Sequence, residues 1–260
     1  MAKLLNEILK KYPALSLIKP PRAKLVGRDK ETQLVAETFL KQRMNNAVLL
    51  GKAGVGKTAI VENFAKLAKD EYFVCEYSIA LSVSKTKYRG EFEDKITNCF
   101  REIAEHNSAD LEKKIIVFID EIHTIYRAGA SEGSCLDAAN ILKPFLSRGE
   151  IMLIGATTFD EYKDWLASDT ALVRRITPII VKELEEKDVL KILENFCKKT
   201  VKKDILSYIY DKTLSLKKFC NPDTSIEILD RCMARNKYTQ REISKEMVDE
   251  ILEDFVVMEE

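Results

Sequence analysis

Residues 51–58 read Gly-Lys-Ala-Gly-Val-Gly-Lys-Thr, with four residues between Gly51 and Gly56 and Lys57-Thr58 directly after. An apolar run, Ala47–Leu50, precedes the loop. Apolar residues at helical spacing follow it: Ala59, Ile60, Val61, Phe64, Ala65, Leu67 and Ala68. Strand, glycine loop and helix in that order suit a polyphosphate, because backbone N–H groups at a helix N-terminus attract an anion. Gly51, Gly54 and Gly56 keep side chains out of the wrap. Ala53, Val55 and Ala59 complete the phosphate-binding set. In this pattern the lysine, here Lys57, reaches the β- and γ-phosphates of a nucleoside triphosphate. The threonine hydroxyl, here Thr58, coordinates Mg²⁺.

Four further stretches could act on that nucleotide. Ile115–Ile119 ends in Asp120-Glu121, and ligands of open α/β sheets gather at the carboxyl ends of strands. Asp120 would hold Mg²⁺, and Glu121 would polarise an attacking water as general base. Thr157 and Thr158 end the run Ile151–Gly155. Thr158 is the favoured contact to the γ-phosphate, although a strand-end hydroxyl can also simply cap the next turn. Arg174-Arg175 reads either as surface charge or as an arginine finger, a guanidinium supplied across a subunit interface to a transferring phosphoryl group. Lys87-Tyr88-Arg89-Gly90 places a tyrosine among charges in a loop. Packing and non-specific grip on a polypeptide stand there as equal readings. His106 and His123 are the only histidines. Without partnering cysteines they do not suggest zinc, and His123 reads as a structural or supporting residue.

The elements that must position these residues alternate. Helical spacing follows a candidate N-cap at Asp29, and Asn45-Asn46 turn the chain into the first strand. Strands are expected at Tyr72–Ile79, Ile115–Ile119, Ile151–Gly155 and Ile179–Val181, and helices over Glu91–Ile103 and Leu136–Leu146. Unbroken apolar strands between helices imply an α/β fold with a parallel sheet buried on both faces. From about Glu183 only helical spacing remains. The chain therefore divides into an N-terminal arm (1–24, a leader or packing arm broken by Pro13, Pro20 and Pro21), a large α/β nucleotide-binding domain (25–182) and a small helical domain (183–260).

Composition narrows the partners. The 260 residues carry 42 Lys+Arg and 42 Asp+Glu, so no global field draws the chain to nucleic acid or an acidic membrane. No apolar run reaches the roughly 20 residues needed to span a bilayer. Six scattered cysteines without a C-x-x-C pair suggest reduced thiols and a cytoplasmic protein.

The motifs together resemble a known family. Val26-Gly27-Arg28-Asp29, Gly51–Thr58 with Ala59-Ile60-Val61-Glu62, Lys87-Tyr88-Arg89-Gly90-Glu91-Phe92-Glu93 and Phe118-Ile119-Asp120-Glu121-Ile122-His123-Thr124 are similar to the first ATPase domain of Clp-type AAA+ unfoldases and disaggregases. So are Asp137–Asn140, Arg148-Gly149-Glu150, Ile154–Thr158, Asp160-Glu161-Tyr162, Ala171-Leu172 before the arginine pair, and Pro222-Asp223. The resemblance implies an AAA+ P-loop sheet flanked by helices, followed by a small all-helical domain. It implies ATP and Mg²⁺ bound by Lys57, Thr58, Asp120 and Glu121, with Thr158 as γ-phosphate sensor and Arg174 and Arg175 acting in trans. Val26 and Gly27 would pack near adenine. Tyr88 would be the pore-loop aromatic of a hexameric ring that forms with ATP and threads polypeptide, and Ala128–Ser134 would form a second pore loop.

The chain also departs from that family. It has no room for the family's N-terminal adaptor, second ATPase domain or coiled-coil insertion, and Ile176 stands where phenylalanine usually follows the arginine pair. A stand-alone relative is the expectation over an excised domain. An ATP-switched interaction module without translocation is the alternative function. A nucleic-acid loader fits the neutral charge poorly.

Overall fold

The apolar run at 115–119 becomes the middle of the sheet. The structure, a computed structural model, describes residues 2–21, 24–41, 45–84, 89–109, 113–127, 138–168, 174–216 and 218–259. Two compact units emerge. The first is Met1–Leu25, Asp29–Leu50 and Lys57–Ile180; the second is Val26–Arg28, Gly51–Gly56 and Val181–Glu260.

In the first unit the order is α1 (Ala2–Lys11), β1 (Leu15–Leu17), α2 (Asp29–Phe39), β2 (Ala47–Leu50), α3 (Lys57–Leu67), β3 (Tyr72–Tyr77), α4 (Ile79–Ser84), α5 (Arg89–Ser108) and β4 (Lys114–Ile119). It continues with α6 (Thr124–Arg127), α7 (Ala138–Arg148), β5 (Met152–Thr157), α8 (Phe159–Ser168) and β6 (Thr177–Ile180). The strands lie in the order β1-β3-β4-β5-β2-β6. Every residue from Ile115 to Ile119 is fully buried, as a strand covered on both faces requires. Phe92, Ile96, Phe100 and Ile103, one face of α5, share a core with Ile115 and Val117.

Three elements differ from expectation. The sheet is parallel except at one edge, where β1 pairs antiparallel to β3, Leu15 opposite Tyr77. Three residues between prolines carry no readable period; the partner strand makes them a strand. The first segment packs against the sheet. Leu5, Ile8, Tyr12 and Leu15 enter the main core, and the Tyr12 hydroxyl donates to Glu102 at 2.8 Å. The strand expected to reach Ile79 stops at Tyr77. Ser78 donates its N–H to Ala14 O (2.8 Å), and its hydroxyl oxygen accepts from Leu81 N (3.3 Å), so it caps α4 instead.

The second unit contains α9 (Glu186–Phe196), α10 (Lys203–Thr213), α11 (Asp223–Thr239) and α12 (Lys245–Glu259). Val189, Leu193, Leu206, Ile209, Ile228, Leu229, Val248 and Ile251 form its core. No strand occurs among its described residues. No helix among the described residues is long and apolar enough to cross a membrane.

Because Ile8 is buried in the sheet's own core, Ile8→Ala is expected to cost about 2–4 kcal/mol of stability. Urea unfolding measures it; a loss below about 0.5 kcal/mol would mean the arm is dispensable.

Candidate functional site

Parallel pairing decides where the candidate residues go. Ile119 stands opposite Gly155, and Leu50 opposite Thr157. The carboxyl ends of β2, β4 and β5 therefore share one edge, and Asp120-Glu121 and Thr157-Thr158 leave the sheet there. Thr58, in the first turn of α3, donates its hydroxyl to Asp120 Oδ2 at 3.1 Å. The other carboxylate oxygen of Asp120 accepts from Glu121 N at 2.9 Å. Glu76 on β3 is held above the usual carboxylate range by burial, with the negative charges of Asp120 and Glu62 adding to the rise. Hard oxygen donors in a negative field are what Mg²⁺ takes, so the residues present fit that ion.

The turn after β4 is set by close packing. A Cβ on Gly155 would come within 2.9 Å of Ile122, so glycine at this strand position lets the turn lie against β5. Ile122 N then donates to Ala156 O at 3.0 Å. Glu121 takes a left-handed φ of 47°, which a non-glycine residue adopts only when its surroundings hold it there. Its side chain is 71% exposed and so accessible to water.

Beside it lies a network whose hub the motif reading left without a role. Glu161 Oε2 accepts from the Thr158 hydroxyl (2.7 Å), Thr158 N (3.1 Å) and the Thr157 hydroxyl (3.0 Å). Glu161 N donates back to the Thr158 hydroxyl oxygen at 3.4 Å. Thr158 and Glu161 thus form the capping box of α8. The spacing T-x-x-E at 158–161 was the signal that could have found it. Glu161 Oε1 faces His123 Nε2 at 3.0 Å, and His123 Nδ1 lies 3.0 Å from the Thr157 hydroxyl. Glu161 is pushed up by burial, but the hydrogen bonds from Thr158 and Thr157 and the nearby His123 outweigh that and leave it below the usual carboxylate range.

The arginine pair lies elsewhere. Arg174-Arg175 precede β6, which runs parallel to β2 with Ala47 opposite Thr177 and Leu50 opposite Ile180. Asn46 pins this end: its Oδ1 accepts from Leu153 N (3.0 Å), its Nδ2 donates to Arg175 O (3.4 Å), and its carbonyl accepts from Thr177 N (2.7 Å). The pair therefore sits at the edge opposite Asp120-Glu121. Three strand spacings separate β4 from β6, about 14 Å, and the strand length adds about 10 Å. An arginine side chain does not cover that distance.

In the second unit, Val26 is buried and Gly56 has a φ of 94°, a conformation that glycine takes without strain. Arg28, assigned no role by the motif, is 4% exposed and donates to Val55 O (2.8 Å) and Lys182 O (2.7 Å). It ties the Val26-Gly27 turn to the loop through a buried, charge-assisted bond. Gly51, Ala53, Gly54 and Val55 belong to the same unit, whereas Lys57, Thr58 and Ala59 open α3 in the first. Lys87, Tyr88 and the segment 128–134 lie outside the described residues, and Arg89-Gly90 begin α5.

A family model for the "ATPase family associated with various cellular activities (AAA)" matches residues 47–184. The chain belongs to the AAA ATPase family. Nucleotide binding follows from that membership. The chain is 38% identical over 229 residues to chaperone protein ClpB of Aquifex aeolicus, covering 82% of this chain and 22% of that protein. It is 39% identical over 240 residues to an ATP-dependent Clp protease ATP-binding subunit ClpA homolog of Trieres chinensis, covering 86% and 26%. Among solved structures it is similar to Hsp104 in a closed-state cryo-EM reconstruction with ATPγS and FITC casein, with a TM-score of 0.77, 26% identity and coverage of 94% and 44%. An Hsp104–ADP complex from S. cerevisiae gives a TM-score of 0.71 at 27% identity, covering 87% and 34%. The Clp-type resemblance and the α/β sheet with C-terminal helices are thereby borne out. The chain spans only 22% and 26% of the two curated relatives' lengths.

Because the native fold holds Glu161 below its ordinary pKa, its ionised form contributes stability that is present above the unfolded value and lost as pH falls through the folded one. Glu161→Gln is expected to cost about 1 kcal/mol at pH 7. The gap between variant and wild type should narrow on acidification below about pH 4.5; denaturant curves at pH 7 and pH 3.5 check it.

Proposed function

We propose that the chain binds ATP with Mg²⁺ and hydrolyses it as the ATPase unit of a Clp-type motor, a cytoplasmic homo-oligomeric ring that remodels or threads polypeptides. The observation that carries the reading is the sorting of residues to the sheet's two edges. Thr58 and Asp120 converge at 3.1 Å at one edge, beside Glu121 and Thr158, while Arg174 and Arg175 stand at the other. The proposed domains are 25–182 for the nucleotide and 183–260 as the small helical partner.

In this reading Lys57 and the loop N–H groups from Gly51 to Gly56 bind the phosphates, with Val26 and Gly27 near the base. Thr58 and Asp120 would hold Mg²⁺, which would supply charge neutralisation to the phosphates. Glu121 takes the proton of the attacking water, and Thr158 donates to a γ-phosphate oxygen. Arg174 and Arg175 serve a neighbouring copy, since their own site is out of reach. A ring with nucleotide between subunits is the assembly that brings them to one. Lys87–Gly90, with Tyr88, would grip the polypeptide.

Glu121→Gln is expected to retain ATP binding and lose turnover by about 100-fold or more. Doubly substituted Arg174→Ala/Arg175→Ala should bind ATP and lose about 1,000-fold. Mixing these two inactive proteins should restore a measurable fraction of activity, because a mixed interface joins an intact arginine pair to an intact Glu121. No recovery in a mixture shown by sizing to co-assemble would rule out action in trans.

A further inference from the structure

The capping box explains why Glu161 bonds to Thr158. It does not explain why the second oxygen of the same carboxylate faces His123. A cap needs only the threonine, the backbone N–H groups and one carboxylate oxygen. Here Oε1 is committed to His123 Nε2 at 3.0 Å, and the opposite ring nitrogen lies 3.0 Å from the Thr157 hydroxyl. The imidazole is thus held at both nitrogens, with a side chain only 10% exposed. It is reached from β5 by Thr157 and from α8 by Glu161, while it rides on the turn after β4. A carboxylate only accepts, so Nε2 carries a hydrogen; the bond one nitrogen makes sets the form of the ring. That same Nε2 is 3.9 Å from Glu121 Oε2.

We propose that Glu161 and His123 are positioning residues for ATP hydrolysis: the Glu161 carboxylate accepts from His123 Nε2–H and fixes the ring beside Glu121, and so holds the general base in register with Thr158. This rests on the reading of Glu121 as base. Thr158 has one hydroxyl hydrogen, now given to Glu161. When it turns to a phosphate oxygen, the Thr158 N–H and the Thr157 hydroxyl still anchor Glu161, and the bracket to His123 survives. The tips of β4 and β5 thus stay joined while the threonine changes partner. Glu161, Glu121 and Thr157 face the ring nitrogens.

Glu161→Gln separates this role from capping, because glutamine at this position also completes the box. It replaces Oε1 by an NH₂ group, a donor facing a donor, so Nε2 must give up its hydrogen to accept from residue 161. Steady-state ATPase assays on wild type, Glu161→Gln, His123→Ala and the double variant read the consequence. Glu161→Gln is expected to lower kcat about 10-fold with KM within about threefold, since small misplacement of a catalytic group is costly. His123→Ala should do the same. The double variant should fall within about twofold of His123→Ala alone, because the two act as one unit.

Turnover of Glu161→Gln within twofold of wild type, a rise in activity, or additive losses would overturn the proposal. A second readout does not depend on hydrolysis. In ¹⁵N-resolved NMR, with only two histidines to assign, His123 Nε2 should be protonated in wild type and unprotonated in Glu161→Gln; an unchanged ring would overturn the bracket. If wild type itself shows no ATPase activity, the proposed function fails, and the NMR result alone judges the Glu161–His123 contact.

Discussion

Parallel hydrogen bonding among β4, β5 and β2 governs the rest of this molecule. A parallel sheet has two chemically different edges. Once Ile119 pairs with Gly155 and Leu50 with Thr157, every residue that follows one of these strands is delivered to the same edge. The residues that lead directly into β6 are kept from it. Asp120, Glu121, Thr157 and Thr158 converge on that account, and Arg174-Arg175 are excluded. No flexible adjustment of side chains reverses the sorting, because a strand's direction is set by its whole ladder.

The apolar content of the strands makes the arrangement rigid enough for chemistry. β4 is buried from Ile115 onward and β5 throughout, so neither can slip without exposing a row of apolar side chains. Gly155 admits Ile122 against β5, and that contact fixes the turn carrying Glu121 and His123. Asn46 does comparable work at the opposite edge, joining β2, β5 and the start of β6 through one buried side chain and its own carbonyl. A capping box then starts α8 where β5 ends, and its carboxylate reaches across to the neighbouring strand tip.

Much of this was legible in the residues. The loop at 51–58, the acidic pair after a β-branched run and the helical spacing after Glu183 each combine a local pattern with a physical need. What was not legible depends on partners distant in sequence. β1 exists because β3 offers it an edge. α4 begins where it does because Ser78 is claimed by Ala14 and Leu81. The buried Arg28 and the second oxygen of Glu161 have meaning only beside Val55 and His123. The T-x-x-E spacing at 158–161 was readable as a cap; its reach to His123 was not.

The central claim is that one copy of this chain lacks part of its own active site, because the sheet holds Arg174 and Arg175 at the wrong edge for its own nucleotide. The most direct test is ATPase activity per molecule as protein concentration is raised with Mg²⁺ and ATP saturating. Activity per molecule is expected to be low when dilute and to climb to a plateau, in step with assembly followed by sizing. Full activity per molecule in a dilute monomer, independent of concentration, would contradict it.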